Sequence, residues 1–437
     1  MESKADATEG KGSVIRKVAA SSFLGNFIEW FDYATYSYFA VVIANVFFPG
    51  DDPALALMQT FAVFALSFLL RPVGAIFRGS MGDKKGRKWA LSTSIFLMAG
   101  ATFCIGLLPG FSLIGIAAPA LLLLLRMLQG FSASGEYAGA ATFLAEYAPA
   151  NKRGVYCSIV PASTATGLLV GSTFATIMYL LLPDSAVSEW GWRIPFLLAG
   201  PLGFIAHYIR ARLEDSPTYR TMMAKVVDKS EDAPRPIRTL FRNHKKELVI
   251  SFGAAMLNAV GFYTVLTYLP VYLESVVHMA PYESSLITTI CLVTYVAFIF
   301  GSGHLSDRFG RKKMLIIACV SFIVFTVPAF VLLNTGDFVA VLVVELVMCA
   351  ALTVNDGTLS SYLAETFPTE VRYSGFALSF NLANALFGGS APMVATALIA
   401  LTGSNLAPAW YTVGVSCVAL VAMVLSHEHA GKELADV

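Results

Sequence analysis

Charge is scarce in this sequence. Asp, Glu, Lys and Arg together make up 14% of its 437 residues, against roughly 25% in ordinary soluble domains. The 56% hydrophobic content and mean hydropathy of +0.67 point instead to a chain that crosses a membrane many times. A net charge of +1 excludes the strong field that would favour nucleic acid or acidic partners. Six cysteines (Cys104, Cys157, Cys291, Cys319, Cys349, Cys417) lie singly, without metal-like spacing, and read as buried small hydrophobes. No Gly-x-x-x-x-Gly-Lys-Ser/Thr loop is present, so ATP-driven transport in this chain is not expected, nor is any cofactor. His427-Glu428-His429 is not the two-turn zinc helix, and no His, Cys and Ser arrangement marks a hydrolase, so neither a metal site nor an enzyme is expected. The first eighteen residues lack the apolar core and cleavage site of a signal peptide, and the first helix is expected to stay in the mature chain.

What is there is a series of apolar runs. Twelve are long enough to span a bilayer: 19–46, 53–77, 88–108, 117–147, 156–182, 192–209, 247–272, 284–303, 313–333, 339–364, 375–400 and 408–426. The longest polar connection, 210–246, carries Arg210, Arg212, Arg220, Lys225, Lys229, Arg235, Arg238, Arg242, Lys245 and Lys246. Of the 30 Lys and Arg, all but Arg71, Arg126 and Arg193 fall in the tails or in every second loop. The alternate loops hold Asp51, Asp52, Asp184, Glu189, Glu274, Glu283 and Asp337. Basic loops stay on the cytoplasmic side of a membrane, so both tails (1–18 and 427–437) and the central connection are expected there, with the protein in the cell's inner membrane.

The chain also repeats itself. Gly79-x-x-x-Asp83-Lys84-x-Gly86-Arg87-Lys88 recurs as Gly303-x-x-x-Asp307-Arg308-x-Gly310-Arg311-Lys312, and Glu146-x-x-Pro149-x-x-x-Arg153 as Glu365-x-x-Pro368-x-x-x-Arg372. The two aspartates stand 224 residues apart and the two glutamates 219, close to half the chain. This predicts an all-α integral membrane protein of twelve helices in two pseudo-symmetric six-helix halves, 19–209 and 247–426. In such proteins the site lies near the midplane between the halves, and access alternates by rocking.

One apolar run is chemically out of place. The first carries Asn26, Glu29, Trp30, Asp32, Tyr33 and Tyr36 near its centre, and an ionisable group at that depth costs roughly 2.5–3.5 kcal/mol on insertion scales. Helical offsets of three and four put these polar groups on one broad face, which must look at protein or water. Arg126 enters the fourth run at similar depth, followed along one face by Gln129, Ala133 and Glu136 or Tyr137. An Arg and a carboxylate buried together should pair, because either alone is costly. A carboxylate that exchanges an Arg for a proton is a coupling device, so Glu29 or Asp32 is the candidate proton carrier and Arg126 its switching partner, against a static pair that only orients helices.

Several of these motifs resemble the major facilitator superfamily: the two Gly-x-x-x-Asp loops, Arg126-x-x-Gln129-Gly130, and the two Glu-x-x-Pro-x-x-x-Arg helix ends. More narrowly, Gly25-Asn26-x-x-Glu29-Trp30-Phe31-Asp32, Leu70-Arg71-Pro72-x-Gly74, Gln129-Gly130-Phe131-Ser132-x-x-Gly135-Glu136-Tyr137 and Trp190-Gly-Trp192-Arg193-Ile-Pro195 are similar to its metabolite:H+ symporter family. Leu266-Thr267-Tyr268-Leu269-Pro270 and Phe367-Pro368-Thr369-x-x-Arg372-Tyr373-Ser374 look closest to the proline/glycine betaine transporters in it. Arg78 departs from the pattern, standing where that family usually has an apolar residue, and the tail after the last helix is too short for the coiled coil some of those transporters carry. The resemblance implies a monomeric secondary transporter. It also implies that the Asp83/Arg87 and Asp307/Arg311 loops latch the halves together on the inside, against the simpler reading of basic loops as membrane anchors.

Arg71 and Glu136 are expected to form an inner gate with one another or to anchor at the interface, and Glu146, Arg153, Glu365 and Arg372 complete the gating candidates. Asn355 and Asp356 are deep polar groups of the tenth run; Asp356 faces either the cavity or nearby loop charges. For substrate, Trp30, Tyr33, Tyr36, Tyr263 and Tyr268 offer ring faces to an ammonium group, with Asn26, Gln129 and Asn355 as polar contacts and Arg126 for a carboxylate. This suits proton symport of a zwitterion such as proline or glycine betaine. Di- or tricarboxylates, which would use Arg126 and Arg71, are the alternative, and a drug/H+ antiporter a more distant one.

Overall fold

The computed structural model describes residues 2–228 and 236–434. Lys229 and Arg235 of the central connection and the last three residues of the C-terminal tail lie outside the described residues. Among those described, eleven helices are long and apolar enough to cross a membrane. They are α2 (Leu55–Lys85), α3 (Arg87–Leu107), α4 (Ala117–Tyr147), α5 (Ala150–Leu181), α6 (Val187–Ala211), α7 (Lys245–Ser275), α8 (Tyr282–Phe309), α9 (Arg311–Leu333), α10 (Phe338–Thr366), α11 (Arg372–Thr402) and α12 (Ala407–Leu425). The remaining crossing is α1 (Glu2–Tyr38), continued as Ala40–Phe47. It is more polar than the others, carrying Asn26, Glu29, Asp32, Tyr33 and Tyr36 in its membrane-crossing stretch.

Two differences from the sequence expectation have local causes. The first helix begins at Glu2 rather than near Ala19. No proline interrupts residues 2–18, and lengthening an existing helix costs far less than nucleating one. The central connection is not all loop: Pro217–Asp228 and Pro236–Asn243 are helical, each opened by a proline, whose missing N–H is harmless in a first turn.

Glycines set how closely the helices approach. A Cβ on Gly167 would stand 2.8 Å from Phe27 O, and one on Gly130 2.0 Å from Ser67 O, so α1 packs on α5 and α2 on α4 backbone to backbone. Across the halves, a Cβ on Gly154 would meet Gly303 O at 2.4 Å, and one on Gly79 would meet Ser374 Cα at 2.7 Å. The halves therefore meet along α5 with α8 and α2 with α11, near the end of the molecule that carries the basic loops, here called the basic face.

Gly86 and Gly310 begin α3 and α9 with φ of 102° and 97°, a region that side chains rarely adopt, so the repeated loop motifs need glycine there. Two π-helical turns interrupt the second half, Thr264–Tyr268 in α7 and Asn384–Gly388 in α11. Such turns cluster at functional sites, and these two meet where the Tyr263 ring lies against Gly388.

Candidate functional site

A small cavity lies between the halves. The first half contributes Glu29, Trp30, Arg71 and Tyr137 to its wall, and the second half Asn258, Phe262, Tyr295, Asp356, Phe380 and Asn384. Its volume is about 20 Å³, room for about one water. Rings line it: Trp30 meets Phe262 edge-on at 5.3 Å between centroids, and Tyr137 stacks on Phe380 at 4.4 Å.

Two ion pairs stand on α1, one helical turn apart. Arg71 Nη2 donates to Glu29 Oε1 at 2.8 Å and to the Tyr33 hydroxyl at 2.5 Å, with the guanidinium 4.4 Å over the Phe68 ring. Glu29 Oε2 has no partner, and neither has the nearby Tyr263 hydroxyl. Asp32 is held on both oxygens, by Arg126 Nη1 at 2.7 Å and Gln129 Nε2 at 3.2 Å; Gln129 also donates to Thr102 at 2.6 Å. The Arg126 guanidinium lies 3.7 Å over the Tyr36 ring, whose hydroxyl donates to Thr60 O. The Glu29 pair thus faces the cavity, while the Asp32 pair is enclosed behind it by protein.

Arg71 does not meet Glu136. It reaches Glu29, and Glu136 is paired instead with Arg210 of α6, which also donates to Leu91 O and Ser21 O. Arg210 looks like one more loop cation in the sequence, yet it is 1% exposed in the last turn of α6. A Cβ on Gly25 would collide with both partners, so the missing side chain of Gly25 makes room for this pair. Asn26 does not line the cavity itself but ties α1 to α5 through Val160 O, Ser163 and Thr164, the last of which does line it. Asn355 is buried outside the cavity wall with its amide unpartnered, whereas its neighbour Asp356 lines the cavity. Sequence reasoning missed Asn258, Tyr295, Phe380 and Asn384; each sits in an apolar helix where one polar or aromatic residue carries no spacing signal.

The basic face is closed by a reciprocal lock. Asp83 accepts from the N–H groups of Tyr373 (3.2 Å) and Ser374 (2.9 Å), in the first turn of α11. Asp307 accepts from the N–H groups of Gly154 (2.7 Å) and Val155 (3.0 Å), near the start of α5. Each aspartate sits on the positive end of a helix from the other half. Each also has its own arginine four residues on: Arg87 at 3.0 Å and Arg311 at 2.8 Å. Glu146 then bridges Arg87 and Arg372, and Glu365 bridges Arg311 and Arg153.

Two further acids complete the pattern. Asp215 accepts from Lys88 N at the start of α3, and Glu428 from Lys312 N at the start of α9, both at 2.9 Å. Burial pushes the Asp215 carboxyl up from the ordinary carboxylate range, against the Lys88 N–H and the Arg87 charge that hold it down. The C-terminal tail crosses this face, its Lys432 and Leu434 carbonyls accepting from Arg153 and Arg372.

The family model described as "Sugar (and other) transporter" matches residues 18–435. The chain belongs to that family. The transporter is 37% identical over 426 residues to the glycine betaine/proline/ectoine/pipecolic acid transporter OusA of Dickeya dadantii, covering 96% of this chain and 85% of that one. It is 35% identical to the proline/betaine transporter of Salmonella typhimurium (96% and 85%) and 36% identical to a putative proline/betaine transporter of Staphylococcus haemolyticus (97% and 90%). In fold it matches the proton:xylose symporter XylE bound to 6-bromo-6-deoxy-D-glucose, with a TM-score of 0.80 at 18% identity over 97% and 98% of the two chains. A partially occluded inward-open structure of XylE gives 0.68. The architecture is that of the major facilitator superfamily, as the repeated motifs imply, and the protein is an integral membrane transporter of a small molecule.

Proposed function

We propose that this transporter takes up a zwitterionic compatible solute of the proline or glycine betaine class, driven by the proton gradient rather than by ATP. The basic face is the cytoplasmic one in this reading, as the distribution of Lys and Arg requires, with both termini inside the cell and the inner membrane as its location. The names of relatives at 35–37% identity support the substrate class.

The observation that carries the coupling is the Glu29–Arg71 pair in the cavity wall, with one glutamate oxygen unpartnered. A substrate carboxylate arriving in the cavity competes with Glu29 for Arg71. Once Arg71 turns to the substrate, Glu29 is a buried carboxylate without a cation, and taking up a proton is its least costly state. Substrate and proton then enter together. The aromatic walls, Trp30, Phe262, Tyr137 and Phe380, offer ring faces to the ammonium end, worth up to about 2 kcal/mol when desolvated. The Asp32–Arg126 pair holds α1 to α4 and shapes the field behind Glu29.

With the basic face locked, the resting cavity is too small for either solute. Entry requires the rings of the two halves to part, which is the rocking that alternating access supplies. The test is counterflow in liposomes of labelled glycine betaine and proline, beside citrate and 2-oxoglutarate, with and without an imposed pH gradient. Accumulation of betaine or proline driven by external acid supports the reading. Citrate or 2-oxoglutarate counterflow without betaine or proline marks an organic-acid carrier instead, and acid-driven efflux marks an antiporter.

A further inference from the structure

The cavity wall holds a carboxyl group that the coupling step does not use. Asp356 of α10 is 1% exposed, and its two oxygens accept from the Asn258 amide at 2.6 Å and the Tyr295 hydroxyl at 2.5 Å. Both donors are neutral. Among the described residues no Lys, Arg or His pairs with Asp356, whereas Glu29 and Asp32 across the cavity each have an arginine. An ionised carboxylate inside a membrane protein is expensive unless a cation faces it, and such groups are kept mainly where a ligand or an ion completes them.

We propose that Asp356 receives the ammonium group of the substrate and is the residue that makes the transporter choose zwitterions over simple carboxylates. The inference rests on the functional reading above. Charge and placement favour it together. Among the described residues the one cation of the cavity wall is Arg71, of the first half, and the one carboxyl the second half contributes there is Asp356. A zwitterion bound between them therefore lies across the boundary of the halves, carboxylate toward Arg71 and ammonium toward Asp356. Phe262 and Tyr295, with ring centroids 6.5 Å apart, stand beside Asp356 as the apolar wall for the methyl or ring carbons around the nitrogen. The charges balance as well. Empty, the wall carries two carboxyl groups and one guanidinium, and Asp356 is the carboxyl left without a cation. Loaded, with Glu29 protonated, Arg71 and Asp356 each face the opposite charge on the substrate, and the cavity is neutral. A neutral loaded cavity is the one that low-dielectric surroundings favour during the rocking step.

Asp356→Asn keeps the size of the side chain and removes the charge; its one oxygen can still accept from Asn258, and the Tyr295 hydroxyl can turn to accept from the new NH2 group. In reconstituted protein, the wild type should be inhibited in labelled-betaine counterflow by unlabelled glycine betaine at concentrations at least about thirtyfold lower than by 3,3-dimethylbutanoate, the same shape without the positive charge. In Asp356→Asn that ratio should fall to within about threefold, and Asp356→Glu should restore most of it. If the variant is inserted but does not transport, the same ratio is read from thermal stabilisation of the detergent-purified protein by each compound. A variant that keeps the wild-type ratio overturns the inference while leaving the function intact. A wild type that moves neither betaine nor proline refutes the functional reading itself, and the inference with it.

Discussion

Arg372 Nη1 lies 2.9 Å from Glu146 Oε1, joining the first turn of α11 in one half to the last turn of α4 in the other. Its counterpart by the internal repeat is Arg153 with Glu365, at 2.8 Å. Each cluster at the basic face therefore holds two arginines and two acids: Arg87, Arg372, Asp83 and Glu146 in one, Arg311, Arg153, Asp307 and Glu365 in the other. The charges balance within each cluster, and each cluster draws members from both halves. Opening this face separates charges that are paired, which favours the closed state.

The aspartates carry the part of this lock that crosses the boundary through backbone groups. Hydrogen bonds to a charged partner contribute about 1.5–3 kcal/mol each, and a few kcal/mol is enough to move a two-state equilibrium from one face to the other. Asp83→Asn and Asp307→Asn should insert normally but lose at least about tenfold in transport rate. A single cysteine placed in the α5–α8 contact should become more reactive to a membrane-impermeant thiol reagent from the basic face. Normal transport in both variants would remove the lock from the mechanism and leave these loops as membrane anchors.

Glu29→Gln separates movement of substrate from coupling. The amide cannot carry the proton, yet it leaves Arg71 free for the substrate. Counterflow at equal pH should continue within about threefold of wild type, while accumulation against a gradient should vanish. With one proton per substrate, one pH unit supplies 1.36 kcal/mol, so wild-type vesicles should reach about tenfold accumulation and the variant a ratio near one. Retained accumulation in the variant would transfer the carrier role to Asp32.

The architecture was legible because membrane physics leaves few solutions: twelve apolar runs, alternating loop charge and a duplicated loop motif each constrain the same count. The site was legible only in part. Glu29, Asp32 and Arg126 stand out because charge inside an apolar run is costly, but which acid meets which arginine depends on helix rotation and depth, which residue spacing does not reveal. Hence neither expectation for Arg71, a gate with Glu136 or an anchor at the interface, matches its place beside Glu29. Arg210 was hidden among the loop cations, since nothing local distinguishes the last turn of a helix from the loop that follows it. Asn258, Tyr295 and Phe380 are visible only once the halves are brought together.

The helix starts capped by Asp215 and Glu428 offer a stability measurement. Gly86 and Gly310 have no side chain to cap α3 and α9, so acids from distant segments accept from the Lys88 and Lys312 N–H groups instead. Losing a cap of this kind costs about 0.5–2 kcal/mol. Asp215→Ala and Glu428→Ala should each lower the midpoint of thermal unfolding in detergent by a few degrees. Glu428→Ala should also loosen the tail whose carbonyls meet Arg153 and Arg372, read as faster proteolysis after Lys432. Unchanged midpoints would mean that water caps these helices equally well.

The contact of Gly154 with Gly303 tests the lock by shape alone, without touching a charge. Each glycine faces the carbonyl oxygen of the other across the halves; an added Cβ would stand 2.4 Å from Gly303 O in one case and 2.7 Å from Gly154 O in the other. Real Cβ atoms do not approach that closely, and backbone on both sides cannot give way as a flexible side chain would. Gly154→Ala and Gly303→Ala therefore force α5 and α8 apart at the basic face. Both also strain the N–H groups of Gly154 and Val155 that hold Asp307. Each should cut transport at least about tenfold and raise thiol reactivity from the basic face, as the aspartate variants do. Gly100→Ala is the control, because a Cβ there meets nothing within 4 Å, and its transport should stay within about twofold of wild type. Because the glycine variants leave every ionised group in place, their agreement with Asp83→Asn and Asp307→Asn would assign the defect to closure of the face. A glycine variant with normal transport would show instead that the aspartates act through their charge.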